Sequence, residues 1–118
     1  MGLSSWQVGR IMSSFDPMAA AINWLDAYRD ADLSIVDLYS ADAMLECGCN
    51  GETLITGKAA LTEYWRSRFA EKPAGVLERL RVLGKTVVVS YAVPHGIVEA
   101  NLKFNDAGRI IRTQCGPL

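Results

Sequence analysis

Between Glu46 and Glu52 the chain reads Glu-Cys-Gly-Cys-Asn-Gly-Glu. Two thiols two residues apart, hemmed by glycines and carboxylates, could clip a metal, form a redox pair or supply a nucleophile. Each role asks for more than the stretch itself offers. Zinc takes four ligands, and the single histidine, His95, falls in a Pro-His-Gly turn. A disulfide between i and i+2 closes a strained ring. A nucleophilic Cys47 needs a base or cation beside it to form thiolate, and Arg66 or Arg68 would have to reach inside to serve. Buried cysteine is a common small core residue. Packing is therefore the reading taken for Cys47, with ligand contact or covalent catalysis as the alternative. No metal and no cofactor are assigned.

The elements around this stretch follow from periodicity. Asp16 can cap a helix that Pro17 opens. Ala20, Ala21, Trp24, Leu25 and Tyr28 then recur on one stripe. Asp32 is the N-cap of a short second helix that holds Leu33, Val36, Leu38 and Tyr39 and ends at Ser40-Ala41-Asp42-Ala43. Ala43, Leu45, Cys47 and Cys49 alternate with Met44, Glu46 and Gly48, as in a strand. The link from Asn50 to Gly57 holds one short strand at most, and Glu52 and Thr53 lie in a loop able to cover a pocket. A third helix follows Gly57, with Leu61, Tyr64, Trp65 and Phe69 on its buried stripe, and stops at Pro73 and Gly75. Strands are expected over Leu77–Leu83, Thr86–Val93, the run around Val98, Ala100, Leu102 and Phe104, and Ile110–Cys115, joined by turns at Gly84-Lys85, Pro94-His95-Gly96 and Asn105-Asp106-Ala107-Gly108.

Bulk properties bound the function. The 118 residues suit one domain with one core, with residues 1–15 expected as a flexible arm and 16–118 as the domain. Half the residues are hydrophobic and the formal net charge is −1, without a basic block. Nucleic acid and membrane are not expected as partners. The first residues lack a signal-peptide pattern, and Trp6 stands where a myristoylation signal takes Ser or Thr. An odd count of three cysteines without secretory context points to reduced thiols and a cytoplasmic protein.

The segments "NWLDAYRDADLSIVDLYSADAMLE", "TGKAALTEYWRSRF" and "LKFNDAGRII" resemble the nuclear transport factor 2-like superfamily, in its SnoaL-like and ketosteroid-isomerase-like branch. The resemblance runs from about Asp16 to the end. It implies an α+β fold of the cystatin-like cone type: three N-terminal helices packed on a bent antiparallel β-sheet around an apolar cavity. With the alternation above, Trp24, Tyr28, Tyr39, Leu45, Cys47, Leu61, Trp65, Phe69, Val98, Ala100, Leu102, Thr113 and Cys115 would line that cavity. Ordinary core packing would explain the aliphatic ones equally well. The polar tips of Trp24, Tyr28, Tyr39 and Trp65 are more than a dry core needs, and a cavity or water could satisfy them.

In the steroid isomerases of this branch a carboxylate moves the proton, and a tyrosine and a protonated acid hold the dienolate. The resemblance puts those roles at Trp24, at Cys47 (or Gly48 after a one-residue slip) and at Ala100. None keeps the required group, so that chemistry is not expected. On the outer face, Arg79, Arg81, Glu99, Asn101, Lys103, Arg112 and Gln114, with Ile110 among them, would form the surface on which relatives pair as homodimers. Two functions follow. One is a homodimeric pocket protein for a small, largely apolar molecule, with isomerase, cyclase or lyase-type chemistry open to it. The other is a non-catalytic dimerisation or partner-binding module with a filled cavity.

Overall fold

The computed structural model describes residues 15–47 and 53–117, apart from the side chains of Cys47, Thr53 and Pro117. Most of the expected arm, residues 1–14, lies outside the described residues, as do Cys49 and Glu52.

Helix α1 spans Pro17–Arg29. Its start is set locally, because the Asp16 carboxylate accepts hydrogen bonds from the amides of Met18 (3.0 Å) and Ala19 (3.3 Å). Its buried stripe is Ala21, Trp24, Leu25 and Tyr28. Leu33–Leu38 is a 3₁₀ turn capped by Asp32 through the Ser34 amide. That contact holds the Asp32 carboxyl below its usual range. Tyr39, expected as the end of this turn, has extended backbone and instead opens strand β1, Tyr39–Cys47. The Ser-Ala-Asp-Ala stretch therefore lies inside β1 rather than ending a helix. Strand β2 (Thr53–Thr56) precedes helix α2 (Lys58–Glu71), and strands β3 (Leu77–Leu83), β4 (Thr86–Val93), β5 (Gly96–Phe104) and β6 (Ile110–Pro117) follow.

The strands form one sheet in the order β2-β1-β6-β5-β4-β3. Hairpins make β3–β4, β4–β5 and β5–β6 antiparallel, and β1 pairs antiparallel with β2. Strand β1 runs parallel to β6, with Leu45 opposite Thr113 and Cys47 opposite Cys115. This overturns the expected bent, wholly antiparallel cone: the chain forms a mixed sheet in one open, linear array. Nor are all helices N-terminal, since α2 is inserted between β2 and β3. The physical reason is that β1 and β6 meet only after a long crossover, and no hairpin turn announces such a pairing.

Register fixes the two faces. Val89, Ala100 and Cys115 lie in one row across β4, β5 and β6, and Val87, Leu102 and Thr113 in the next. The first row's Val89 and Ala100 and the second row's three residues are buried. Helices α1 and α2 supply the other wall of this core. Ile110, expected on the outer face, is fully buried in the core instead; the register slips between Lys103 and Phe104, which turns it inward. At the last hairpin, Asn105 Oδ1 accepts from the amides of Ala107 and Arg109. Gly108 there has φ +84°, and a Cβ on it would press on the Phe15 ring.

Candidate ligand-binding interior

An aromatic layer lies between the helices and the inner sheet face. Trp24 stands edge-on to Tyr28, Trp65 and Tyr91, with ring centroids 5.7, 5.8 and 5.9 Å apart. Tyr28 meets Trp65 at 4.9 Å and Tyr91 at 5.4 Å. Phe69 lies 5.8 Å from Trp65 and 6.2 Å from Tyr28. Edge-to-face contacts of this kind add about 0.5–1.5 kcal/mol per pair beyond burial. The layer forms because α1 and α2 both place aromatics at helical spacing on the stripe that faces the sheet.

The polar tips of the layer fall into two groups. The first surrounds Tyr39. Trp24 Nε1 donates to Tyr39 Oη over 3.1 Å, and Thr113 Oγ1 lies 3.5 Å from the same oxygen. Burial pushes the Tyr39 phenol up to about 12, against the opposing pull of Thr113, Trp24 and Trp65. Tyr39 is thus a neutral phenol at any physiological pH. Trp65 Nε1 is buried with no acceptor at hydrogen-bonding geometry. Such a buried donor costs about 1–3 kcal/mol unless an acceptor reaches it.

The second group surrounds Arg68, in the last turn of α2. This residue is only 5% exposed. Its Nε donates to Tyr28 Oη over 2.7 Å, its Nη2 points to Tyr91 Oη at 3.5 Å, and its Cζ lies 5.9 Å from the Tyr28 ring centre. Tyr28 Oη in turn donates to the Lys72 carbonyl. Burial raises the Tyr28 phenol while the Arg68 charge pulls it down. Burial also lifts Tyr91 well above the ordinary tyrosine value, with the neighbouring Tyr28 adding to it. Tyr64 Oη approaches Cys115 Sγ at 3.8 Å. Among the described residues the buried polar or charged side chains are Arg68, Ser90 and Thr113, and no carboxylate is among them.

The structure gathers nearly all of the residues expected to line a pocket. Trp24, Tyr28, Tyr39, Leu45, Leu61, Trp65, Val98, Ala100, Leu102 and Thr113 are buried, and Phe69 and Cys115 are partly buried against them. Cys47 ends β1 opposite Cys115, but its side chain lies outside the described residues. Two members of the layer go beyond that set. Tyr91 keeps the two-residue alternation of Val87 and Val89, a signal masked by its β-branched neighbours. Arg68 lies three residues past Trp65, on the same helical stripe, where a cation also suits the negative end of the helix. Glu46 faces outward, where Arg112 donates to its carboxylate through Nη2 (2.5 Å) and Nε (3.1 Å), and Gln114 through Nε2 (3.0 Å). These bonds hold its carboxyl below the usual range. His95 sits exposed in the β4–β5 turn at φ +73°.

A separate, half-open cleft of about 220 Å³ lies outside this layer, with Tyr39 and Leu61 in its lining. At its rim Lys58 pairs with Asp37 at 3.2 Å, and Arg109 donates to the Asp37 carbonyl. Among the described residues no three His, Cys, Asp or Glu side chains gather as a metal site. No helix of the described residues is long and apolar enough to cross a membrane.

No family model and no curated protein matches the sequence. The structure does match solved ones. A SnoaL-like protein of unknown function from Burkholderia thailandensis E264 superposes with a TM-score of 0.72 at 16% identity, over 83% of this chain and 91% of that one. A steroid delta-isomerase from Pseudomonas aeruginosa gives 0.69 at 18%, over 86% and 79%. An NTF-2 like protein of unknown function from Burkholderia xenovorans LB400 gives 0.70 at 20%, over 86% and 81%. The chain therefore has the α+β fold of the NTF2-like superfamily, in the form that SnoaL-like proteins carry. At these identities the likeness speaks for the fold, and the chemistry has to be read from the side chains.

Proposed function

We propose that the protein binds a small, largely apolar molecule between the two helices and the inner sheet face. The observation that carries this reading is the aromatic layer with its polar tips, among them the buried Trp65 Nε1, which faces Tyr39 without a hydrogen bond of full geometry. Ligand sites are mostly apolar, with a few convergent polar groups that fix orientation. The steroid delta-isomerase shares this fold, but the positions that the resemblance assigns to its reaction hold Trp24, Cys47 (or Gly48 after a one-residue slip) and Ala100, and none of them carries the phenol or carboxyl group that reaction uses. Proton transfer by that carboxylate route is not proposed. If a reaction occurs, it uses neutral donors: a Tyr39 or Tyr91 hydroxyl that polarises a carbonyl of the bound molecule. We also propose a reducing, cytoplasmic setting, in keeping with the odd number of cysteines.

A fluorescent dye tests this. N-phenyl-1-naphthylamine, neutral and apolar, should brighten on binding with micromolar affinity. Ala100→Phe, which fills the middle of the inner face, should weaken binding at least about tenfold. Absence of dye binding, or binding indifferent to Ala100→Phe, would favour the alternative of a module with a filled interior. We also propose that two copies pair through the outer sheet face, where Arg79, Arg81, Lys103, Arg112 and Gln114 are exposed and Glu99 and Asn101 half-buried. Light scattering at tens of micromolar should give a dimer, and Arg81→Glu with Lys103→Glu should give a monomer. A wild-type monomer would remove the interface.

A further inference from the structure

The cleft outside the aromatic layer has a cause in the strand pairing. Strand β2 pairs with β1 only from Met44 onward, and the register between β1 and β6 slips between Tyr39 and Met44. A strand with such a slip bends locally. The start of β1 thus stands off the start of α2, and the half-open space of about 220 Å³ lies between them. Its floor is apolar and buried, made by Val36, Tyr39 and Leu61. Its rim carries Asp37, Lys58 and Arg109, all exposed. Two cations there share one carboxylate. Lys58 Nζ pairs with the Asp37 carboxylate at 3.2 Å, and an exposed pair of this kind contributes little, so Lys58 can turn to a second anion. Arg109 Nη1 donates over 2.7 Å to the Asp37 backbone carbonyl. That bond fixes the guanidinium without neutralising it, and among the described residues no carboxylate pairs with Arg109.

We propose that this cleft binds a fragment-sized carboxylate, with its anionic group between Lys58 and Arg109 and its short apolar body on the floor. This is a second site, and it stands whether or not the interior binds a ligand. With Nη1 engaged by the carbonyl, the Nε–Nη2 edge of Arg109 is left for the two oxygens of a carboxylate, the planar match that guanidinium makes best. The surplus positive charge on the rim favours an anion over its neutral analogue. The volume falls below the roughly 300–1,000 Å³ of sites for drug-sized ligands, which holds the ligand to a small one. A bare anion would leave the floor uncovered, whereas a short apolar body removes it from water. No bond is made or broken, so the claim concerns recognition and not turnover.

The test titrates benzoate, benzamide and inorganic phosphate into ¹⁵N-labelled protein at neutral pH and low salt, where screening is weak. Benzoate should shift the Ser40, Ala41 and Lys58 amides in a saturable way. It should bind at least about tenfold more tightly than benzamide, which has the same shape without the charge. Arg109→Gln should remove that preference, and Arg109→Lys should keep part of it, because the charge stays but the fork is lost. Inorganic phosphate should bind more weakly than benzoate. Equal binding of benzoate and benzamide, or of neither, overturns the inference and leaves the aromatic-layer reading standing. A preference that survives in Arg109→Gln overturns the assignment to Arg109. Phosphate bound as tightly as benzoate overturns the role of the apolar floor. Shifts confined to the Trp24 and Trp65 indoles would put benzoate in the interior and overturn the cleft site. The wild-type comparison needs no variant, so it decides even if Arg109→Gln disturbs the fold.

Discussion

Around Tyr39 the buried polar atoms are all neutral, and they bind one another: Trp24 donates to the phenol oxygen and Thr113 lies beside it. Around Tyr28, in the same aromatic layer, they surround a full positive charge. The bond from Trp24 to Tyr39, with Thr113 beside it, ties α1 to β1 and β6. The contrast separates a neutral group of buried polar atoms from a charged one.

The largest effect should come from the residue that joins the two ends. Trp24 touches Tyr28, Trp65 and Tyr91 and is 1% exposed. Trp24→Ala should cost about 3–5 kcal/mol in urea unfolding. A loss under about 0.5 kcal/mol, the range of surface changes, would mean that the layer does not hold the helices to the sheet.

Alkaline pH should expose the Tyr39 end next. Its phenol is raised to about 12 in the fold from 10.0, so the folded state holds the proton more tightly than the unfolded one. The contribution is complete below pH 10 and is lost as pH climbs through 12. At about 1.4 kcal/mol per pH unit, the loss is on the order of 2–3 kcal/mol. Tyr39→Phe should flatten that part of the stability curve. Absorbance at 295 nm should show Tyr28, Tyr39 and Tyr91 ionising only as the protein unfolds; ionisation of all tyrosines near pH 10 in the native state would contradict their burial.

At the charged end, Tyr28→Phe deletes the acceptor of Arg68 Nε and should cost about 1–3 kcal/mol in urea unfolding. A change under about 0.5 kcal/mol would mean that this hydrogen bond does nothing for the fold. The smallest effect is expected from Thr113→Val, on the order of 1 kcal/mol, because Trp24 still serves the Tyr39 oxygen.

Much of this architecture is legible in the sequence, for local reasons. Asp16, Asp32 and Pro17 announce their helices through caps, and the alternation from Val98 to Phe104 announces its strand. Turn chemistry marks the three hairpins. The features that escape a sequence reading are non-local or run against habit. Strand β1 lies parallel to β6, and no turn between them signals it. Tyr39 looks like the end of a helix because Val36 and Leu38 precede it at close spacing, yet its extended backbone starts the strand. Ile110 looks outward-facing by alternation with Arg112 and Gln114, but a register slip turns it into the core. Arg68 has the right period for the buried stripe, and charge alone argues against placing it there. Along the pocket wall, helical spacing and strand phase suffice to gather Trp24, Tyr28, Trp65, Ala100 and Leu102, because each lies in an element with one clear inner face.

The most direct measurement of whether the interior is a site or a filled core is the pair of indole N–H resonances of Trp24 and Trp65, followed by ¹⁵N–¹H NMR as N-phenyl-1-naphthylamine is added. Binding between the helices and the sheet predicts that both indole resonances shift in a saturable way, Trp65 the more because its donor lacks an acceptor. The outward-facing Gln114 side-chain amide, bonded to Glu46, should stay in place. Indole resonances that hold still while the dye binds, or a Gln114 amide that moves alone, would put the ligand outside the aromatic layer and contradict the pocket.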